Sequence, residues 1–389
     1  MRSGDPRYVI SNRDIRTYMS NSFRQDPGSQ FSRNAEQSAL AYHARLAKPP
    51  GSLGRLEEFA AFYAGAHGLM PPPSPTRPTL AIFAADHGVT ADGVSAYPSA
   101  VTAAVVINVM HGGSAINALT ASNQIALRLI DVGISGNLEP APPDPVIQLE
   151  RHSLAAGTRN FAREPAMSLE QAGAAIAVGE KVAREAINAG SKLLGVGEIG
   201  IGNTACASAL IAELTGAPVK DVVGPGAGLD AEGVARKISV VERALTRYRN
   251  SRHAENGEPS SADKGLRILA ELGGFEVAAM VGFILEAARS RTPVVLDGVV
   301  TNAAALVAVE LMPTARDFMV ASHGSTEPGA RVACDKLGLS PLLQLSMRLG
   351  EGSGAALGLV LLRSAVDVML QMSTLDAAIE RAGLGVKGA

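Results

Sequence analysis

The chain has no tryptophan, and aromatic residues make up only 4% of its 389 positions. A surface that stacks nucleic-acid bases therefore has little to draw on. Only two cysteines occur, Cys206 and Cys334, far apart and without CxxC spacing. That excludes a disulfide framework and fits a reducing compartment, so the chain is expected in the cytoplasm. Neither sign of charge is in excess. A formal net charge of −2 gives no reason to expect nucleic acid or a membrane surface as partner. No run of 18 apolar residues escapes interruption by charge, glycine or proline, so no membrane span is expected. The N-terminus lacks the apolar segment of a signal peptide. The seven histidines are scattered without HxH or HExxH spacing, so neither a metal nor another cofactor is expected.

What is present in quantity is small and apolar. Apolar residues make up 47%, and there are 41 glycines. That composition suits helices packed closely on a parallel sheet. Residues 1–33 carry six Arg and three Asp, too many acids for a transit peptide, and read as a poorly ordered extension. A helix is expected over Asn34–Ala47. Pro49, Pro50 and Gly51 end it, and Ser52 or Gly54 starts the next. The proline-rich stretch Pro71–Pro78 marks a stiff linker and a boundary.

Beyond it, short apolar runs alternate with helical patterns. Strands are expected at Thr79–Ala84, Ala126–Val132, Leu193–Val196, Val219–Val223, Pro293–Leu296 and Asp317–Ala321. Helices are expected at Thr102–Leu119 (weak at Gly112–Gly113), Ser168–Ala189, from Asn203 onward, Ala231–Tyr248, Val277–Arg289 and Asn302–Leu311. Glu139–Pro145 reads as a proline-rich loop and Asn250–Asp263 as a polar surface insertion. The tail from Leu339 reads as helical, interrupted by LGEGSGAALG. The fold class is α/β: a doubly wound, mostly parallel sheet of about six strands flanked by helices. Residues 79–338 form the large domain on this reading. Residues 34–70 and 339–389 form a smaller helical one.

In such sheets ligands bind outside the carboxyl ends of the strands. Here those ends carry Asp86-His87, Asp131, Glu198, Gly224–Asp230, Asp297 and Ser322–Ser325. The richest is KLLGVGEIGIGNTACASAL, Lys192–Leu210. It reads as strand, glycine-rich turn and helix, with bare N–H groups meeting a helix N-terminus. That is a cradle for an anion, most often phosphate. It is not a Walker loop, nor a dinucleotide fingerprint completed by its downstream acid. An ordinary tight βα turn would look similar. Glu198, a carboxylate inside it, suggests a ligand with phosphate at one end and hydroxyls or a cationic ring near the other. His87, a lone histidine at a strand end, reads first as structural.

Several stretches taken together are specific where each alone is not: KPPGSLGRLE (48–57), AADHGVTADGVSAYP (84–98), GEIGIGNTACASAL (197–210), GPGAGLDAEGVARK (224–237), ELGGFEVAAMVGFILEAA (271–288), SHGSTEPGA (322–330) and LGEGSGAALG (349–358). In this order, over about residues 35 to 385, the chain resembles the nicotinate-nucleotide–dimethylbenzimidazole phosphoribosyltransferase family. The resemblance implies transfer of the phosphoribosyl group of nicotinate mononucleotide to 5,6-dimethylbenzimidazole. The products are α-ribazole 5′-phosphate and nicotinate, for the lower ligand of cobalamin. It implies a homodimer and a single inverting displacement.

It also implies roles. The Glu of the LGEGSG loop is the family's general base and matches Glu351; capping the helix that follows is its plainer role. Glu198 becomes a partner of the ribose or of its developing charge, or else orients the glycine loop. The phosphate rests on Gly200, Ile201, Gly202, Asn203 and Thr204, joined by Lys237 and Ser325. Asp86, Ser95, Tyr97, Leu349 and Gly350 wall the acceptor base. Where the family pattern places Gln after GVSAYPxxVTx, this chain has Ala104. Two other readings use the same residues. One is another transferase or hydrolase acting on a nucleotide N-glycosidic bond. The other is a nucleotide-binding protein without chemistry, which the presence of Glu351 disfavours.

Overall fold

The computed structural model describes residues 30–138, 145–253 and 261–384. The extension up to residue 29, nearly all of the 139–145 loop and the centre of the 250–263 insertion lie outside them.

Among the described residues six parallel strands form one sheet: β1 (Thr79–Ala85), β2 (Ala126–Gly133), β3 (Leu149–Arg151), β4 (Leu194–Ile199), β5 (Val294–Leu296) and β6 (Met319–Ala321). Their order is β3-β2-β1-β4-β5-β6, every pairing parallel. β1 and β4 are buried along their whole length, which is why both read as unbroken apolar runs. The chain leaves β1 toward one side and reaches the far half of the sheet through β4. The loops after these two central strands therefore diverge, and a crevice opens between them.

Before the sheet come α1 (Arg33–His43) and α2 (Arg55–His67). Between strands lie α3 (Val101–Met110), α4 (Ala115–Ser122), α5 (Leu169–Asn188), α6 (Asn203–Thr215), α7 (Val219–Val222), α8 (Ala231–His253), α9 (Ser261–Leu272), α10 (Phe275–Arg289) and α11 (Val299–Leu311). After β6 come α12 (Pro328–Leu337), α13 (Ser353–Gln371) and α14 (Leu375–Arg381). One sheet face carries α5, α6, α10 and α11, and the other α3, α4 and α13. A separate alanine-rich cluster joins α1, α2 and α13 through Ala39, Ala60, Ala61, Ala64, Ala365 and Met369.

Helix α10 is buried from Phe275 through Ala288, so its sequence shows no polar face. It lies against α5 at two glycines. A Cβ on Gly282 would run into the Ile176 backbone, and one on Gly179 would sit 2.8 Å from the Phe283 nitrogen. The stretches Val101–Ser122 and Ser353–Gln371 have the length and apolar composition of a membrane span. The first is broken into α3 and α4, and both supply side chains to the core under the sheet.

The KPPGSLGRLE stretch is scaffold. Lys48 Nζ meets Glu57 Oε1 at 2.6 Å, both nearly buried, and Leu53 N–H donates to the same oxygen. Arg55 donates to the carbonyls of Ser340 and Pro341, which lead into the loop before α13.

Four sequence expectations change. Val219–Val223 is not a strand: Pro218 caps one helical turn, α7, that presents Lys220 and Asp221 outward. The remaining strand is instead β3, three residues at the sheet edge, too short and polar to show a pattern. Thr102–Leu119 is two helices, parted at Gly112–Gly113. The tail is not helical from Leu339; residues 339–352 run irregularly beside β6, with a parallel bridge between His323 and Leu343.

The glycine contact gives a direct test. Gly282→Ala should lower the unfolding free energy by about 2 kcal/mol, because the added methyl forces α10 away from α5. Urea denaturation reads this as a lower midpoint at unchanged slope. An unchanged midpoint would show that the two helices separate without cost.

Candidate active site

A cleft of about 330 Å³ opens at the carboxyl ends of β1 and β4. Its walls include Glu198 near the end of β4 and Gly200–Thr204 after it, Ser95 and Tyr97 after β1, Ser325 after β6, and Leu349, Gly350 and Glu351 before α13. The structure thus brings together every sequence-predicted site residue except Lys237 and Asp86. Both of those are buried behind the walls.

The glycine loop has a sharp left-handed step at Gly202, φ 97°, which caps α6. A side chain there would press on Thr90 and His87. The Ile201 N–H does not face a ligand; it donates to Thr102 Oγ1 at 3.0 Å. Among the described residues the N–H groups of Gly202 and Thr204 have no acceptor, so they are the donors left for an anion.

Lys237 reaches this loop from α8. It is fully buried, and its Nζ donates to Thr204 Oγ1 at 2.8 Å and to the Gly224 carbonyl at 3.1 Å. Burial lowers its pKa to about 8, against the opposing pull of the Glu327 carboxylate. Glu327, unforeseen in the sequence reading, lines the cleft while accepting from the Gly226 N–H at 2.9 Å.

Asp86 is an anchor rather than a wall. It accepts from Ser99 Oγ at 2.6 Å and from the Ser135 N–H and hydroxyl at 2.8 Å each. Burial resists its ionisation, but these donors and the Thr102 hydroxyl hold its pKa below the usual carboxylate value. Through Thr102 it ties the start of α3 to Ile201. Val101 and Val105 on α3 line the cleft, while Ala104 is exposed beside them. His87 lies under the loop, paired with Glu276 at 2.7 Å with both side chains fully buried. Burial disfavours the charged ring, yet the adjacent Glu276 carboxylate raises its pKa overall.

The Glu351 loop is held by a residue whose role the sequence reading did not assign. The Asp297 carboxylate, at the end of β5, accepts the N–H groups of Gly352, Gly354 and Ala355 at 3.1, 2.7 and 3.0 Å. It takes the unpaired donors at the start of α13 and fixes that helix against the sheet. Gly350, Glu351 and Gly352 are consecutively left-handed, with φ of 80°, 57° and 74°. Glycine adopts this freely; glutamate does so at a cost of about 1–3 kcal/mol. There is no room for a bulkier neighbour. A Cβ on Gly197 of β4 would lie 2.5 Å from the Gly352 backbone, and one on Gly350 would lie 2.9 Å from Glu198 Oε1.

Glu198 therefore stands between the two loops, with Asn203 Nδ2 donating to its Oε2. Burial, then the Glu276 and Asp297 carboxylates, push its pKa well above the ordinary value. That favours the protonated form. Burial and then Asp297 also raise Glu351. His323 completes this corner. It lines the cleft and hydrogen-bonds Ser322 Oγ, next to Asp297, whose pKa burial raises. A strand-end SHGS run was the available signal for it.

The cleft thus has unpaired N–H groups at the start of α6, the Glu351 carboxyl before α13, and the buried Glu198 carboxyl between the two loops.

Comparison with known proteins agrees with that chemistry. A family model described as phosphoribosyltransferase matches residues 29–379. The chain is 44% identical over 342 residues to the nicotinate-nucleotide–dimethylbenzimidazole phosphoribosyltransferase of Chloroflexus aggregans, spanning 87% of this chain and 92% of that one. It is 46% identical over 356 residues to the protein of that name from Azotobacter vinelandii, spanning 90% and 97%. Among solved structures, CobT from Thermus thermophilus superposes with a TM-score of 0.80 at 41% identity, covering 91% of this chain and 99% of that one.

The Asp297 contacts predict that Asp297→Ala lowers stability by about 1–3 kcal/mol and frees the 345–352 segment. Urea denaturation and limited proteolysis measure the two effects. Wild-type stability with no new cleavage in that segment would contradict the anchoring role.

Proposed function

The chain belongs to the nicotinate-nucleotide–dimethylbenzimidazole phosphoribosyltransferase family, and on that premise we propose how the cleft divides the work of its reaction. The enzyme transfers the phosphoribosyl group of nicotinate mononucleotide to 5,6-dimethylbenzimidazole. The donor's phosphate sits on the Gly202 and Thr204 N–H groups, with Ser325 beside it and Lys237 behind Thr204. Its ribose then lies over Glu198, and the acceptor ring lies between Tyr97 and Leu349 with one nitrogen toward Glu351.

One acceptor nitrogen attacks the sugar C1 as the bond to nicotinate breaks. The bonding pair returns to the pyridinium nitrogen and neutralises it, so the leaving group needs no acid. The acceptor does need a base: its second nitrogen carries the proton that must go. Glu351 takes that proton, and its raised pKa makes it a stronger base than an exposed carboxylate. Glu198 hydrogen-bonds a ribose hydroxyl, and the carboxyl groups around the cleft favour positive charge at C1. Attack from the face opposite nicotinate inverts the β-linkage to α. The homodimer and the cytoplasmic setting belong to the same reading, the latter supported by two free, buried thiols.

The observation that carries this is Glu351, held left-handed between two glycines at the mouth of the cleft, one loop away from an anion seat. Glu351→Gln should lower kcat by about a hundredfold or more and leave the Kd of nicotinate mononucleotide within about twofold. Near-wild-type turnover would remove Glu351 as the base.

Lys237 adds a pH prediction. Its charge, set behind Thr204, favours a phosphate on the loop, and it is lost as pH rises through about 8. The kcat/KM for the donor should therefore fall above that pH, and Lys237→Arg should move the fall upward. A wild-type profile without this basic limb would contradict the seat assigned to the phosphate.

A further inference from the structure

Glu327 stands where a carboxylate is unwelcome. It lines the cleft two residues after Ser325, and it is almost fully buried. A buried negative charge near an anion seat repels a phosphate unless that charge is engaged elsewhere. What engages it is the stretch GPGAGLDAEGVARK, residues 224–237.

Glu327 Oε1 accepts the Gly226 N–H at 2.9 Å, and a Cβ on Gly224 would run into its Oε2. The same turn meets Lys237, whose Nζ donates to the Gly224 carbonyl at 3.1 Å. Gly226 is left-handed, φ 55°, and a Cβ on it would lie 2.9 Å from Thr204 Oγ1 and 3.4 Å from Lys237 Nζ. The Gly224–Gly226 turn thus lies between a carboxylate and an ammonium. The backbone of Glu327 makes a second tie. Its N–H donates to Ser325 Oγ at 3.3 Å, which fills an acceptor site of that hydroxyl and leaves the hydroxyl proton to be donated.

Among the described residues no other charged group faces Lys237. Lys220 and Asp221 of α7, Asp230, Glu232 and Arg236 around the start of α8, and the charged residues of α12 all lie at the surface, and α6 presents Thr204 there. Burial lowers the Lys237 pKa to about 8, and the Glu327 carboxylate opposes that fall. The ammonium therefore persists to higher pH than burial alone would allow.

We propose that Glu327 is the positioning residue of the phosphate end: its carboxylate sets the Gly224–Gly226 turn that holds Lys237 behind Thr204, and its N–H leaves the Ser325 hydroxyl to donate to the anion. This rests on the donor's phosphate lying on the loop from Gly202 to Thr204. Glu327 itself touches no reacting atom.

The test uses wild type, Glu327→Gln and Glu327→Asp, with urea midpoints reporting the fold of each. In Glu327→Gln the amide oxygen still accepts the Gly226 N–H, but the charge is gone. The Lys237 ammonium is followed by NMR through its ε-carbon resonance, assigned by its loss in Lys237→Met. In Glu327→Gln it should titrate about one pH unit lower. The basic limb of kcat/KM for the donor should move with it. Above the wild-type limb that variant should then be about tenfold less efficient, with most of the change in KM. Glu327→Asp keeps the charge and shortens the reach to Gly226, so it should leave the limb near its wild-type place and raise the donor KM several-fold. An unchanged Lys237 titration in Glu327→Gln, or a fall in kcat with KM intact, would overturn the proposal. If Glu327→Gln does not fold, an unaltered donor KM in Glu327→Asp overturns it equally. If the titration moves and the calorimetric Kd of nicotinate mononucleotide does not follow, the phosphate lies elsewhere, and the proposal falls with the reading beneath it.

Discussion

The Asp297 carboxylate gathers three backbone N–H groups at the start of α13 and presses that helix end onto the sheet. Around this contact the rest of the site is arranged. It lets Gly352 close on the β4 backbone at Gly197, which leaves Glu351 only a left-handed conformation. Burial raises the proton affinities of the nearby Glu198 and Glu351, and the Asp297 carboxylate adds to the rise in both. The position of the Glu351 loop thus depends on a residue set behind the cleft lining.

A second buried carboxylate plays the matching part across the crevice. Asp86 gathers Ser99, Ser135 and Thr102, and Thr102 in turn grips the Ile201 N–H. The wall carrying Tyr97, Val101 and Val105 is thereby fixed to the anion loop. The wall after β1 and the loop after β4 therefore belong to one hydrogen-bonded frame.

Much of this was legible in the sequence because its signals are local. A glycine-rich strand–turn–helix marks the loop that lines the cleft, and apolar runs alternating with helices announce a parallel sheet with a cleft at its strand ends. Glu351 stood out through its three surrounding glycines. What was not legible depends on contacts distant in the chain. Nothing around Asp297 says that its carboxylate meets backbone 55 residues later. Nothing around Ile201 shows that Thr102 has taken its N–H, or around Asp86 that it faces inward to serines. β3 was missed because three half-exposed residues at an edge carry no period, and Val219–Val223 misled because a β-branched run after a proline fits a strand and a single helical turn alike.

The central claim is a transfer between two bound substrates, and its stoichiometry tests that claim most directly. Purified protein is mixed with nicotinate mononucleotide and 5,6-dimethylbenzimidazole, and the products are separated and identified by mass and anomeric configuration. The account predicts nicotinate and α-ribazole 5′-phosphate in equal amounts. Nicotinate released without the base-linked product, or a β-linked product, would contradict it.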